Sequence, residues 1–119
     1  MDEAAEVKNM AYVRKDQETI DFPYEFTKVW SAIPKALESL GWSVESVDEL
    51  AHRVKGKTKG RFMGYGSILL IDATAIDEGK TRVSVAAETP VTTITSLADF
   101  GDTRKRVEIF FLELREQLH

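Results

Sequence analysis

Two segments of helical periodicity, residues 26–40 and 102–118, bracket an unbroken run of strand-like sequence, and one more strand precedes the first of them. This strand–helix–strands–helix order limits the architecture more tightly than anything else in the chain. Phe26, Val29, Trp30, Ile33, Leu37 and Leu40 recur every three or four positions, so one face of the first helix is apolar, and Gly41 stands where a helix stops. Val107, Phe110, Phe111, Leu114 and Leu118 draw a second stripe along the last helix, with Ile109 and Leu112 left on its opposite side. The order predicts an α+β domain. About five antiparallel strands form a curved sheet, a long C-terminal helix packs on it, and the first helix packs at one end.

The strands carry their own register. Residues 67–88 read as a hairpin closed by Asp77-Glu78-Gly79, a three-residue loop whose last position is left-handed and suits glycine. It sets Leu69 opposite Ala87, Ile71 opposite Val85 and Ala73 opposite Val83, all on one face. Residues 53–62 alternate strictly, with Arg53, Lys55, Lys57, Lys59 and Arg61 on one face and Val54, Gly56, Thr58, Gly60 and Phe62 on the other. A four-residue loop, Met63-Gly64-Tyr65-Gly66, then pairs Lys57 with Asp72 and gives that carboxylate a cross-strand partner. Beyond Glu88 the threonine-rich stretch favours strand, with Pro90 near a bend, and Asp99 or Asp102 is placed to cap the last helix. Residues 19–24 read as the first strand, and 1–18 as a flexible or loosely packed segment ahead of a single domain at 19–119. Pro34 is expected to kink the first helix or divide it in two, the second part capped by Ser31.

Composition narrows the chemistry. A chain of 119 residues, 43% of them hydrophobic, suffices for one core. It has no cysteine, so disulfides, thiolate catalysis and zinc–thiolate sites are excluded. A formal net charge of −4 argues against general nucleic-acid affinity. The longest apolar run, residues 68–71, is far too short to span a bilayer, and the acidic N-terminus has no signal or anchor pattern. A cytoplasmic protein without integral membrane contact is expected, a signal upstream of the sequence being the exception.

The stretch Ile20-Asp21-Phe22-Pro23-Tyr24-Glu25-Phe26-Thr27-Lys28-Val29-Trp30 resembles the opening of the START-like superfamily, where an edge strand ending near proline runs into a helix carrying a Val-Trp pair. Gly79-Lys80-Thr81-Arg82-Val83 is similar to a hairpin common in those proteins, and so is the aromatic C-terminal helix. The resemblance spans about residues 19–118 and is nearest in size to small uncharacterised bacterial or archaeal members. It implies a helix-grip (TBP-like) fold with a cavity between the sheet and the last helix. Members bind lipids, sterols, polyketides or plant hormones, and some are cyclases. The usual domain is longer, with more strands and a second short helix between the first two.

In such a cavity Phe62, Leu69, Ile71, Val85, Phe110, Phe111 and Leu114 would touch a small apolar or amphipathic ligand, and Tyr65, between two glycines, would gate it. The small inner residues Gly56, Gly60, Ala73, Ala75 and Ala87 either leave that space open or let a helix approach closely. An anion surface is the second candidate. Lys57, Lys59 and Arg61 belong to the basic ladder, and Arg104 and Arg106 lie in the first turns of the last helix, where cations oppose the helix dipole. The plainer reading of both is a solvated face balanced by carboxylates, including Asp72, Asp99 and Asp102. No aromatics interleave on the ladder, so it lacks the stacking platform of single-strand binders.

Catalysis has no constellation to rest on. His52 and His119 stand alone, the serines Ser31, Ser67 and Ser84 have no identifiable base, and Glu88 is a single carboxylate beside the expected cavity mouth. No cluster has metal-ligand spacing, and no cofactor motif occurs. A non-catalytic binding domain is the primary reading. The alternative is an interaction module with a filled core, homodimeric through Ile109 and Leu112 unless Tyr12 and Val13 cover them.

Overall fold

The computed structural model describes residues 11–59, 66–92 and 101–119, the side chains of 11–14 and 91–92 excepted. Five strands and two helices follow the expected order: β1 (Ala11–Phe22), α1 (Phe26–Ser39), β2 (Ser43–Asp48), β3 (Arg53–Lys57), β4 (Ile68–Asp77), β5 (Lys80–Thr92) and α2 (Asp102–Leu118). The strands form one antiparallel sheet in the order β1-β5-β4-β3-β2. The sheet is curved, and α2 packs on it.

The inward stripe of α2 lies where its periodicity puts it. Val107, Phe110, Phe111, Leu114 and Leu118 are buried against Leu69, Ile71, Val83, Val85 and Ala87 of the two central strands. Phe111 stacks on Phe22 at the end of β1, ring centroids 6.2 Å apart. α1 adds Val29, Ile33, Ala36 and Leu37 to the same core. Leu37 explains Gly56. A β-carbon there would stand 3.0 Å from one Leu37 methyl and 3.1 Å from the other. The small inner residue on β3 therefore admits α1 rather than opening a space beneath α2.

Hairpin β4–β5 has the expected pairs Leu69–Ala87, Ile71–Val85 and Ala73–Val83. Its turn differs. Asp77 pairs with Lys80 after a bulge beyond Ala75, and Gly79 is not left-handed. Its N–H instead bonds the Asp77 side chain at 3.0 Å, an Asx-type closure that does not require positive φ.

Three further expectations are corrected. β1 begins at Ala11 and pairs with β5 along its whole length, so residues 11–18 are part of the sheet edge and not a loose segment. Its inner positions Asp16 and Glu18 are polar, which hid the strand from a hydrophobic-alternation test. Pairing of β3 with β4 is displaced by four residues: Arg53, not Lys57, faces Asp72. An even displacement keeps every side chain on its face, so the alternation could not exclude it. The guanidinium of Arg53 clamps Asp72 with bonds of 2.6 and 3.0 Å. β5 runs straight through Pro90 to Thr92; from Thr89 onward it pairs only with β1, where a missing donor is tolerated.

The helix ends also depart from expectation. α1 is continuous across Pro34, and the Ser31 hydroxyl donates to the Lys28 carbonyl at 3.2 Å instead of capping a second helix. Asp102 is the first residue of α2, not its cap; Gly101, with φ of 78°, precedes it. Asp99 lies outside the described residues.

Candidate functional site

The inner face of the sheet changes character along its length. On β5 the inward sequence Val83, Val85, Ala87 ends in Thr89, and on β3 Val54 and Gly56 lead to Thr58. The same change occurs on α2. One turn before Val107 and Phe110 stand Thr103 and Arg106, so the stripe that is apolar in the helix body is polar at its start. Thr58, Thr89, Thr103 and Arg106 gather there around Ser67, each at most 7% exposed.

Hydrogen bonds make that burial tolerable. The Thr58 N–H donates to the Ser67 carbonyl at 2.9 Å, and the Ser67 N–H returns to the Thr58 hydroxyl at 2.8 Å. Arg106 donates from Nη1 to the Ser67 hydroxyl at 2.7 Å. The Ser67 and Thr89 hydroxyls bond each other, and Thr103 donates to Thr89 at 2.8 Å. The start of α2 is thus tied to β5 and to the closure between β3 and β4 by directional bonds, while its body is held by hydrocarbon.

A concavity of about 220 Å³ opens beside this cluster. α2 lines it with Asp102, Lys105, Arg106 and Ile109, the spacing that puts four side chains on one face. Thr58 and Lys59 form the strand side, and Trp42 closes it. Trp42 is placed by the end of α1. Gly41 adopts a φ of 76°, its N–H reaches the Glu38 carbonyl at 2.9 Å, and the Trp42 N–H reaches that of Leu37 at 3.0 Å. This is a Schellman closure, and it turns the chain so that Trp42 faces α2.

A second groove of about 390 Å³ runs along the other end of α2, between Leu40 and the residues Ile109, Leu112, Glu113 and Arg115, as far as His119. Leu112 is 61% exposed. Ile109 is half-buried and borders both grooves. The side chains of Tyr12 and Val13, suggested as its cover, lie outside the described residues.

The residues singled out from sequence are distributed unevenly. Leu69, Ile71, Val85, Phe110, Phe111 and Leu114 sit in the packed core, and neither groove includes them. Phe62, Tyr65 and Arg61 lie outside the described residues. Of the basic set, Lys59 and Arg106 come together at the 220 Å³ groove. Lys57 stays on the outer face of β3, and Arg104 leaves the groove to pair with Asp16 at 3.1 Å and Glu108 at 3.3 Å. Glu88 lies on the outer face, between inward Ala87 and Thr89. Trp42, Thr58, Asp102 and Lys105 were not among the predicted site residues. The signal that could have found them is the run of polar side chains continuing two inward patterns, Thr89 after Ala87 and Thr103 and Arg106 before Val107.

The histidines have separate surroundings. His52, with φ of 55°, packs its ring 4.6 Å from Phe26 and 5.7 Å from Trp30 and fastens the β2–β3 turn to the start of α1. Among the described residues no three histidine, aspartate or glutamate side chains group as metal ligands. None of their helices is long and apolar enough to cross a membrane.

No protein-family model matches the sequence, and no curated protein matches it significantly. Solved structures do. Truncated norcoclaurine synthase from Thalictrum flavum superposes with a TM-score of 0.65 at 9% identity, over 87% of this chain and 92% of that one. The Zhui aromatase/cyclase from Streptomyces sp. R1128 gives 0.63 at 9% identity, over 89% and 94%. Ara h 8.0201 gives 0.62 at 12% identity, over 90% and 99%. The neighbours thus include enzymes, and at these identities the likeness is one of architecture. The chain has the helix-grip fold of the START-like and polyketide-cyclase proteins.

Proposed function

We propose that this domain binds a small, partly apolar molecule between its sheet and its C-terminal helix, at the groove bordered by Trp42, Thr58, Lys59, Arg106 and Ile109, without transforming it. The observation that carries this reading is the lining itself. Trp42 and Ile109 supply apolar surface beside the polar groups of Thr58, Lys59 and Arg106, the combination that small-molecule sites use for affinity and orientation. Leu69, Ile71, Val85, Phe110, Phe111 and Leu114 serve as the rigid packing behind it. A non-catalytic role is favoured because, among the described residues, the lining brings no histidine or serine to Asp102.

Native mass spectrometry of freshly purified protein, followed by a denatured spectrum of the same sample, tests this. A mass that is bound in the first spectrum and lost in the second, and that disappears in a Trp42→Ala variant, is the expected result. A bound mass unchanged by Trp42→Ala would move the site elsewhere.

The exposure of Leu112 along the second groove favours a second reading, a homodimer through Ile109 and Leu112. Leu112→Glu separates the two, because Leu112 borders only the second groove. A dimer that dissociates in this variant supports the interface; a wild-type protein that sediments as a monomer removes it.

A further inference from the structure

The sheet ends on two unlike edges. β2 is short and its register breaks between Val44 and Ser46, a bulge of the kind that keeps an edge from taking a further strand. β1 closes the other side with twelve residues, Ala11–Phe22, that pair with β5 without a shift. It contains neither proline nor glycine, and among the described residues no strand lies on its far side. From Lys15 to Asp21 its side chains alternate between exposed and half-buried, and none is buried. Its length adds a second observation. β4 begins at Ile68, opposite Glu88, whereas β5 runs on to Thr92. Among the described residues, 11–14 and 89–92 therefore form a two-stranded ribbon that extends past the other strands. Two strands alone are marginal in water, and a third stabilises them.

We propose that β1 pairs with β1 of a second copy, antiparallel and about a two-fold axis, which joins the two sheets edge to edge. Such an axis maps each face of the sheet onto itself, and residues directly opposite each other share a face. Opposed positions then differ by an even number, so the axis passes through a residue and not between two. Centring it on Asp16 or on Gln17 keeps all but one residue of the strand paired. Charge separates these two registers. The Gln17 centre sets Asp16 against Glu18 twice. The Asp16 centre sets Arg14 against Glu18 twice and Tyr12 against Ile20 twice. It also lays residues 11–14 of each copy along 18–21 of the other, which gives the ribbon its third strand. The two Asp16 residues meet at this axis, and each carboxylate already holds the Arg104 guanidinium at 3.1 Å.

The chain has no cysteine, so single cysteines report the axis directly. Variants with one cysteine at each position from Lys15 to Thr19 are mildly oxidised, and the covalent dimer is measured. Only a residue on the axis faces its own copy. One position away, the two copies stand two residues apart along the strand, beyond the roughly 7 Å that a disulfide bridges. Asp16→Cys is expected to cross-link most, with yields falling on both sides. A maximum at any other position, or no cross-link at all, overturns the pairing. Sedimentation of the full chain is the second measurement. Glu18→Arg should weaken the dimer by about tenfold or more, because symmetry reverses two pairs at once, and Arg14→Glu/Glu18→Arg should restore it. A dimer that ignores Glu18→Arg but dissociates with Leu112→Glu belongs to α2 and overturns the proposal, as does a wild-type chain that stays monomeric.

Discussion

The two ends of α2 meet the same sheet by different physics. Its body, from Val107 to Leu118, is held by carbon, with Phe110, Phe111 and Leu114 pressed on Leu69, Ile71 and Val85. Its start is held by the bonds among Thr58, Ser67, Thr89, Thr103 and Arg106. Apolar burial is large and indifferent to direction; buried hydrogen bonds add little net free energy but allow one arrangement only. The first end therefore supplies stability, and the second fixes a guanidinium at the edge of a groove. A fold that needed only stability could have continued the valines and phenylalanines.

Truncation in the body should have the largest effect. Phe110→Ala is expected to cost about 3–5 kcal/mol in urea unfolding, because a fully buried ring leaves a cavity between two well-packed layers. The mass bound in the native spectrum should survive it. If Phe110→Ala costs under about 1 kcal/mol, the body is not the closed core described above.

At the polar end Ser67→Ala removes the hydroxyl that joins Arg106 to Thr89. The expected loss is about 1–3 kcal/mol, that of a buried polar group deprived of its partner. The comparison becomes sharper in the native mass spectrum. Ser67→Ala should deplete the bound mass more than Phe110→Ala does, although it destabilises the fold less. The reverse order would mean that Arg106 needs no positioning.

A third substitution probes how tightly the apolar side closes from the α1 direction. Gly56→Ala sets a methyl 3.0 and 3.1 Å from the Leu37 methyls, so Leu37, fully buried, has to move. A loss of about 1 kcal/mol is expected, overpacking being partly offset by the stiffer unfolded chain. In a Leu37→Ala background the same change should cost nothing. Equal costs in both backgrounds would show that the strand, not Leu37, resists the methyl.

These contrasts also explain what could be read in advance. The stripe of α2 and the β4–β5 pairs were legible because an odd slip there would bring Asp72 among the valines. The β3–β4 register was not, since Gly56 and Thr58 offer inner positions with little to distinguish them. β1 was under-read because its inner residues Asp16 and Glu18 lie beyond the apolar core, where Asp16 meets Arg104 rather than hydrocarbon. The polar cluster was passed over for the opposite reason. Thr58, Thr89 and Ser67 have ordinary strand propensities, and only their inward phase distinguishes them from surface residues. Trp42 belongs to no stripe, and its position depends on the turn of Gly41.

The smallest effect calibrates the buried polar bonds against an exposed one. Asp21 and Arg82 face each other across β1 and β5 on the outer side, joined at 2.8 and 3.1 Å. The bond to Arg82 is the main cause that holds the Asp21 carboxyl below its ordinary value of 3.8; desolvation opposes it, and the nearby charges of Arg82 and then Lys80 add to the lowering. A carboxyl whose pKa is lower folded than unfolded binds protons more readily when unfolded. Its contribution is therefore complete above pH 3.8 and is lost as pH falls through the still lower folded value. Asp21→Asn should leave unfolding at neutral pH almost unchanged and flatten the acid limb of the stability curve, less so in high salt, where an exposed pair is screened. If Asp21→Asn instead matches Ser67→Ala at neutral pH, burial is not what gives the cluster at the start of α2 its strength.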